Sequence, residues 1–325
     1  MVIGKLQLLK PVKETGSEIK DRKRNRLTTL ILNAPLPFVE GVGPSCQWLP
    51  AGPWKTVIDF FQEQYPHVPA TTWKTRMARG QVLDETGCRV DANTAFRAGA
   101  CIFYYRELES ENPIPFTERV LYRDEHILVA DKPHFLPVAP SGRFLRETLL
   151  VRLRKQGASE DLVPVHRLDR ETAGVILFSL NRKTRGHYTA LFRDRKVRKV
   201  YEALAPTLDQ SKFPTTRCSR VVQGEPFFRM KEVAGEPNSE THVSVLSARG
   251  NLSLYQLLPL TGRKHQLRLH LAALGIPVIN DKLYPVLTAS PDDDFSTPLK
   301  LLAKSISFRD PVSGREHYFE SGTKL

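Results

Sequence analysis

The chain has 325 residues and carries 48 Lys+Arg against 35 Asp+Glu, a net charge of +13. Hydrophobic residues at 41% and charged residues at 26% exclude a disordered or fibrous chain, and no apolar run approaches the roughly 20 residues that span a bilayer. The basic balance favours a polyanionic partner, nucleic acid being the common one, although a solvated basic surface would have the same composition.

In chain order, residues 1–52 form an extension with little pattern. "KETGSEIKDRKRNR" is polar and charged, "LTTLILN" has strand character, and "APLPFVEGVGP" is a Pro/Gly-rich connection. The opening residues lack an extended apolar region with a small-residue cleavage site, so no signal peptide is expected and the protein is expected in the cytoplasm. Cys46, Cys88, Cys101 and Cys218 are scattered, without a C-x-x-C pair. That spacing argues against zinc and for reduced thiols.

Residues 53–107 read as a small α/β domain. In "WKTVIDFFQEQYP", Val57, Ile58, Phe61 and Tyr65 share one face at helical spacing. A second helix follows in "ATTWKTRMARG", capped by Thr71 or Thr72 and ended by Gly80; "QVLD" and "CRVD" then pair around "ETG". The second helix carries Lys74, Arg76 and Arg79. A basic helix before a glycine turn and a small sheet resembles a degenerate S4-like RNA-binding domain, in which these three residues would contact RNA. A docking domain with an ordinary charged helix face would show the same pattern. The acidic "ELESENPIPF", with two prolines, places the linker at 108–117.

Residues 118–325 are dense in strands: "RVLYRDEHILVADKP", "GVILFSL", "KVYEALAP", "ETHVSVLSA", "LSLYQLLPL" and "LKLLAKSISFRD". Helices are expected at about 144–156, 182–194 and 263–274. The mixture points to an α+β domain on a mixed, mainly antiparallel sheet. "VPVHRLDRETAGVILF" crowds His166, Arg167, Asp169 and Arg170 ahead of an apolar strand. Asp169 falls at a strand-to-loop junction, where catalytic groups are commonly held, and Gly174 suits the return into the strand. Taken alone, the stretch favours a structural Asp–Arg knot that ties down a turn.

Further segments carry a resemblance. "HRLDRETAG" is similar to the H-R-L-D-x-x-T-S/A-G signature of the RluA family of pseudouridine synthases. "ILVADKPHFLPVAPSG", "RKVRKVYEALAP", "PLTGRKHQLRLHLAALGIPVINDKLYP" and "LKLLAKSISFRDPVSG" resemble its other segments, in the family's order. Phe135 and Asn280 replace the family's usual glycines, and Ala303-Lys304 replaces a typical His-Ala order.

The resemblance implies a pseudouridine synthase fold with flanking helices and an enzyme that isomerises uridine within RNA, from ribosomal or transfer RNA, without a cofactor or metal. In that reading Asp169 is the catalytic carboxylate and Tyr201 the active-site tyrosine. Arg263 is expected to be the cation that a buried carboxylate requires, near a helix capped by Thr261; a phosphate clamp or a fold-stabilising pair are its other readings. Arg167, His166, Arg170, Lys199, Lys264 and Arg268 are the candidates for RNA binding and base flipping, with Arg167 filling the space left by the flipped base. His265 and Gln266 read as buried polar supports and His270 as a satisfied core histidine. The basic run that includes Lys183, Arg185, Arg193, Lys196 and Arg198 is either a solvated face or a phosphate track. A monomer acting on RNA, with no membrane partner, is expected. An inactive RNA-binding scaffold of the same fold is the alternative, and a glycoside hydrolase, needing two facing carboxylates, fits the basic surroundings less well.

Overall fold

The computed structural model describes residues 34–107, 110–289 and 294–325. The polar stretch and "LTTLILN" within the first 33 residues lie outside the described residues. The described chain divides into two units, 34–39 with 43–107 and 40–42 with the rest.

In the first unit, Thr56 starts helix α1 (Val57–Gln64) with a capping box. Its Oγ1 accepts the Asp59 amide at 3.3 Å, and the Asp59 carboxylate accepts the Thr56 amide at 2.9 Å. Helix α2 (Ala70–Ala78) has Pro69 at its N-cap, two residues before Thr71 and three before Thr72, so both threonines lie inside the first turn and no side chain caps the helix. Gly80 follows with φ +68°, a left-handed exit that glycine adopts freely. Strands β1 (Ser45–Trp48), β2 (Val82–Asp84) and β3 (Cys101–Tyr104) form an antiparallel sheet in the order β1-β3-β2. The expected "QVLD"/"CRVD" pairing is present as a short turn: Leu83 bridges Arg89, the Asp84 amide donates to the Cys88 carbonyl at 2.9 Å and the Val90 amide to the Val82 carbonyl at 3.0 Å, while β3 pairs with β2 on its other edge. Phe60, Phe61, Trp73 and Met77 fill the core with Ile102 and Tyr104. Each buried aromatic contributes about 1.5–3 kcal/mol.

Two expectations fail in this unit. Cys46 and Cys101 are joined in a disulfide, while Cys88 and Cys218 are free. The pair is diagonal across β1 and β3, with Cα atoms 6.3 Å apart, so strand pairing brings together residues 55 apart in sequence. Arg76 does not face solvent as an RNA contact would. It is 6% exposed, packs over the Trp73 ring and pairs with Glu107 at 3.2 Å. Lys74 and Arg79 are exposed.

The second unit is built on an eleven-stranded sheet. Its strands are β4 (Arg119–Arg123), β5 (Ile127–Lys132), β6 (Val163–Pro164), β7 (Ala173–Ser179), β8 (Arg198–Pro206), β9 (Thr215–Gln223), β10 (Met230–Val233), β11 (Ser239–Arg249), β12 (Leu252–Pro259), β13 (Leu301–Arg309) and β14 (Glu316–Glu320). The order is β10-β9-β11-β12-β8-β13-β7-β5-β4, with β14 on β13 and β6 on β7. Every pairing is antiparallel except β13 with β7. Helices α3 (Leu149–Lys155), α4 (Arg185–Arg193) and α5 (Gln266–Ala273) flank it.

The apolar runs explain the centre of this sheet. On β5 and β7, Leu128, Ala130, Ile176 and Phe178 face α3, and Ile127, Val129, Val175 and Leu177 face α4. A strand buried on both faces reads as a continuous apolar run. Leu267 and Leu271 of α5 cover Ala203, Tyr255 and Leu257 beside them. Gly174 sits at the crossing of β7 and β13 with φ +113°, and a Cβ there would lie 2.1 Å from the Ala303 carbonyl oxygen. Residues 110–117, expected as linker, are held within this unit: Ile114 is 4% exposed, and Glu111 accepts the amides of Leu145, Arg146 and Glu147. Phe135 (φ +65°) and Asn280 (φ +63°), at positions where the family pattern has glycine, keep a left-handed backbone despite their side chains.

Candidate active site

The loop between β6 and β7 is fixed before it presents any group. His166 Nε2 accepts the Leu177 amide at 3.0 Å, and the ring stacks on Phe192 at 4.5 Å. Leu168 is buried, and the Asp169 carbonyl accepts the Thr172 amide. Lys132 lies beneath with no exposed surface and donates from Nζ to the carbonyls of Pro133, Leu136 and Arg170 at 2.8–3.0 Å. Burial draws this lysine down to about 7, against the opposing pull of Glu171 and Asp169. Arg170 donates to the Phe135 carbonyl and lies over the Phe144 ring. His166 and Arg170 therefore brace the loop, which departs from their expected place in RNA binding.

The Asp169 side chain is 18% exposed and opens into a cleft of about 140 Å³. Tyr201, Arg167, Lys199, Thr261, Arg263, Lys264, His265 and Arg268 line the same cleft. Tyr201 comes from β8, half-buried between two core clusters; burial, then the nearby Asp169, raises its phenol above the ordinary range. Lys199 donates to the Thr261 carbonyl at 3.2 Å and is drawn down to about 8 by burial and by Arg195. Lys264 is lowered by burial and by Arg167. Arg167 and Lys264 are exposed at the cleft. Elsewhere in the basic run, Arg185 donates to the Asp161 carbonyl and Arg193 pairs with Asp194.

The cation at Asp169 is Arg268, not Arg263. Arg268 Nη1 stands 3.6 Å from Asp169 Oδ2 and 3.9 Å from Glu171 Oε2. Nε and Nη2 make a two-point contact with Asp281 at 2.7 and 2.6 Å. The Arg268 side chain is 2% exposed, so it is not available as an RNA-phosphate contact. Burial disfavours its charge, but Asp281, Asp169 and Glu171 outweigh that and raise it. Nη1 has no hydrogen-bond partner among the described residues. Arg263 is exposed and donates from Nε to the Asn238 carbonyl at 3.0 Å.

The reason lies in the turn. Thr261 does not cap a helix: its hydroxyl donates to Gln266 Oε1 at 2.7 Å and accepts the Glu240 amide at 2.9 Å. His265 takes a left-handed conformation, φ +57°, and α5 begins only at Gln266. Arg263 is thereby left in the turn, and Arg268 falls on the buried helical face between Leu267 and Leu271. His265 Nε2 lies 3.8 Å from Asp169 Oδ1, and burial pulls the imidazole down to about 4 although Asp169 opposes this. An arginine on an apolar helix face, with an aspartate thirteen residues later in "INDK", was the available signal for the Arg268–Asp281 pair.

Comparison with known proteins identifies the family. The family model described as RNA pseudouridylate synthase matches residues 126–273, which hold Asp169, Tyr201 and Arg268. An uncharacterized RNA pseudouridine synthase of Synechocystis is 31% identical over 234 residues, covering 70% of this chain and 79% of that protein. The dual-specificity RNA pseudouridine synthase RluA of Haemophilus ducreyi is 34% identical over 211 residues, covering 61% and 90%. Among solved structures, human RNA pseudouridylate synthase domain containing 1 superposes with a TM-score of 0.52 at 25% identity, covering 65% of this chain and 86% of that one. The fold is that of an RNA pseudouridine synthase, an isomerase acting on RNA. Within that class the chain belongs to the RluA family.

Proposed function

We propose that the chain converts specific uridines of structured ribosomal or transfer RNA to pseudouridine, with Asp169 as the catalytic carboxylate. The supporting observation is that Asp169 opens into a cleft shared with Tyr201 while the buried Arg268 turns an otherwise unbonded Nη1 toward it. The N1–C1′ bond breaks, the uracil turns and a C5–C1′ bond forms; C5 gives up a proton and N1 gains one, so the reaction balances without a cofactor. A carboxylate suits either attack or removal of a sugar proton. Tyr201 stacks on the turned base and assists removal of the C5 proton. The target must leave its stack, and Arg167, exposed at the cleft mouth, takes the vacated place and contacts phosphate. Lys199, Lys264 and Arg263 hold the backbone nearby.

Named relatives support the choice of RNA: one is a dual-specificity enzyme, and a yeast mitochondrial relative is a tRNA pseudouridine(32) synthase. In the first unit, Lys74 and Arg79 add an S4-like grip without Arg76. The protein acts as a cytoplasmic monomer in this reading. The test is incubation with bulk RNA and mapping of pseudouridine. Asp169→Asn is expected to lose at least about 10³-fold in rate while still binding RNA. Product equal to that of the wild type would overturn the assignment, and absence of product from the wild type would favour an inactive scaffold.

A further inference from the structure

Tyr284 is only 3% exposed, yet it meets three parts of the second unit. Its hydroxyl accepts the Met230 amide, at the start of β10, at 2.7 Å. The same oxygen lies 3.0 Å from His265 Nδ1. Its own amide donates to Asp281 Oδ1 at 3.1 Å, and Arg268 lies 5.6 Å from the ring centre.

A phenol has one proton to donate. The Met230 amide can only donate, so the hydroxyl accepts there, and a proton turned to His265 Nδ1 gives the phenol both an acceptor and a donor bond. An imidazole that accepts at Nδ1 carries its own proton on Nε2, provided it is neutral. Burial keeps His265 neutral near pH 7. Nε2 is the nitrogen that faces Asp169 at 3.8 Å, too far for a hydrogen bond but close enough for its dipole to act. The reverse tautomer would turn a lone pair toward the carboxylate.

We propose that Tyr284 is a positioning residue for the isomerisation: its hydroxyl fixes the Nε2–H tautomer of His265, so that an N–H dipole faces Asp169. This rests on Asp169 being the catalytic carboxylate. The other charges around the imidazole are Arg268, Lys264 and Asp281, and removal of the hydroxyl changes none of them chemically.

The test combines Tyr284→Phe with nitrogen NMR of the His265 ring in the full chain. The wild type is expected to show Nε2–H at pH 7, and the variant a mixture with Nδ1–H. kcat on RNA should fall about tenfold, equivalent to about 1.4 kcal/mol, with KM little changed. Because the variant also frees the Met230 amide, a double-mutant cycle separates the two effects: in a His265→Gln background, Tyr284→Phe should lower kcat no further. Nδ1–H in the wild type, or an equal loss of kcat in both backgrounds, overturns the proposal. Undiminished activity in Asp169→Asn overturns the reading beneath it, and the tautomer, observed in the resting protein, distinguishes that failure from this one.

Discussion

His265 and His270 stand five residues apart around α5, and both are pulled down to about 4, chiefly by burial. Their surroundings differ in kind. His270 is enclosed by hydroxyls: Thr241 at 2.9 Å from Nδ1, Ser219 and Ser239 at 3.0 Å from Nε2, with Glu232 at 3.9 Å. His265 faces Asp169, and beside it Arg268 holds Nη1 toward that carboxylate without a hydrogen bond. A saturated network fixes a fold and has nothing left to offer a ligand. A network with an unspent donor gives up on the order of 1–3 kcal/mol of stability and leaves that donor open to a further partner.

The sharpest test of this contrast is Arg268→Met. It strands Asp281, whose side chain has no exposure, without its cation. A loss of about 3–5 kcal/mol is expected in urea unfolding, together with loss of activity. Stability equal to the wild type would show that the pair is not structural.

His270→Leu should cost less, about 1–3 kcal/mol, with kcat on RNA unchanged. The pH dependence sharpens the point. Both histidines have folded values near 4 against an ordinary 6.5, so the unfolded chain binds protons first as the pH falls. Stability is therefore lost as pH drops from about 6.5 toward 4, by up to about 1.4 kcal/mol per pH unit for each histidine. His270→Leu should remove one histidine's share, read from urea midpoints at pH 7 and pH 5.

Arg263→Gln is the smallest change. Its side chain is exposed, so stability should move by no more than about 0.5 kcal/mol. Binding of RNA across a salt series should lose about one unit of slope. A large stability loss here would erase the distinction between the two arginines.

The central strands were legible because β5 and β7 are apolar on both faces. β9, β10 and β14 were not: "TTRCSRVVQ" alternates half-exposed polar residues, a pattern shared with loops. Asp169 and Tyr201 were legible as motif positions and do line one cleft. The choice between Arg263 and Arg268 was hidden in a single backbone angle. A helix from residue 263 would have suited Arg263; the left-handed His265 delays the start and turns Arg268 inward. The Cys46–Cys101 bond was equally hidden, since only the β1–β3 register brings the two together.

Gly174 gives a different kind of control. Its missing side chain acts as a length standard for the sheet: where other residues would interpose a methyl group, a hydrogen lets β7 approach the Ala303 carbonyl directly. The Asp169 loop leads into that strand and inherits the spacing. A residue outside the cleft lining thus sets its calibration, and any heavier side chain there would detune it while leaving every cleft-lining group chemically intact.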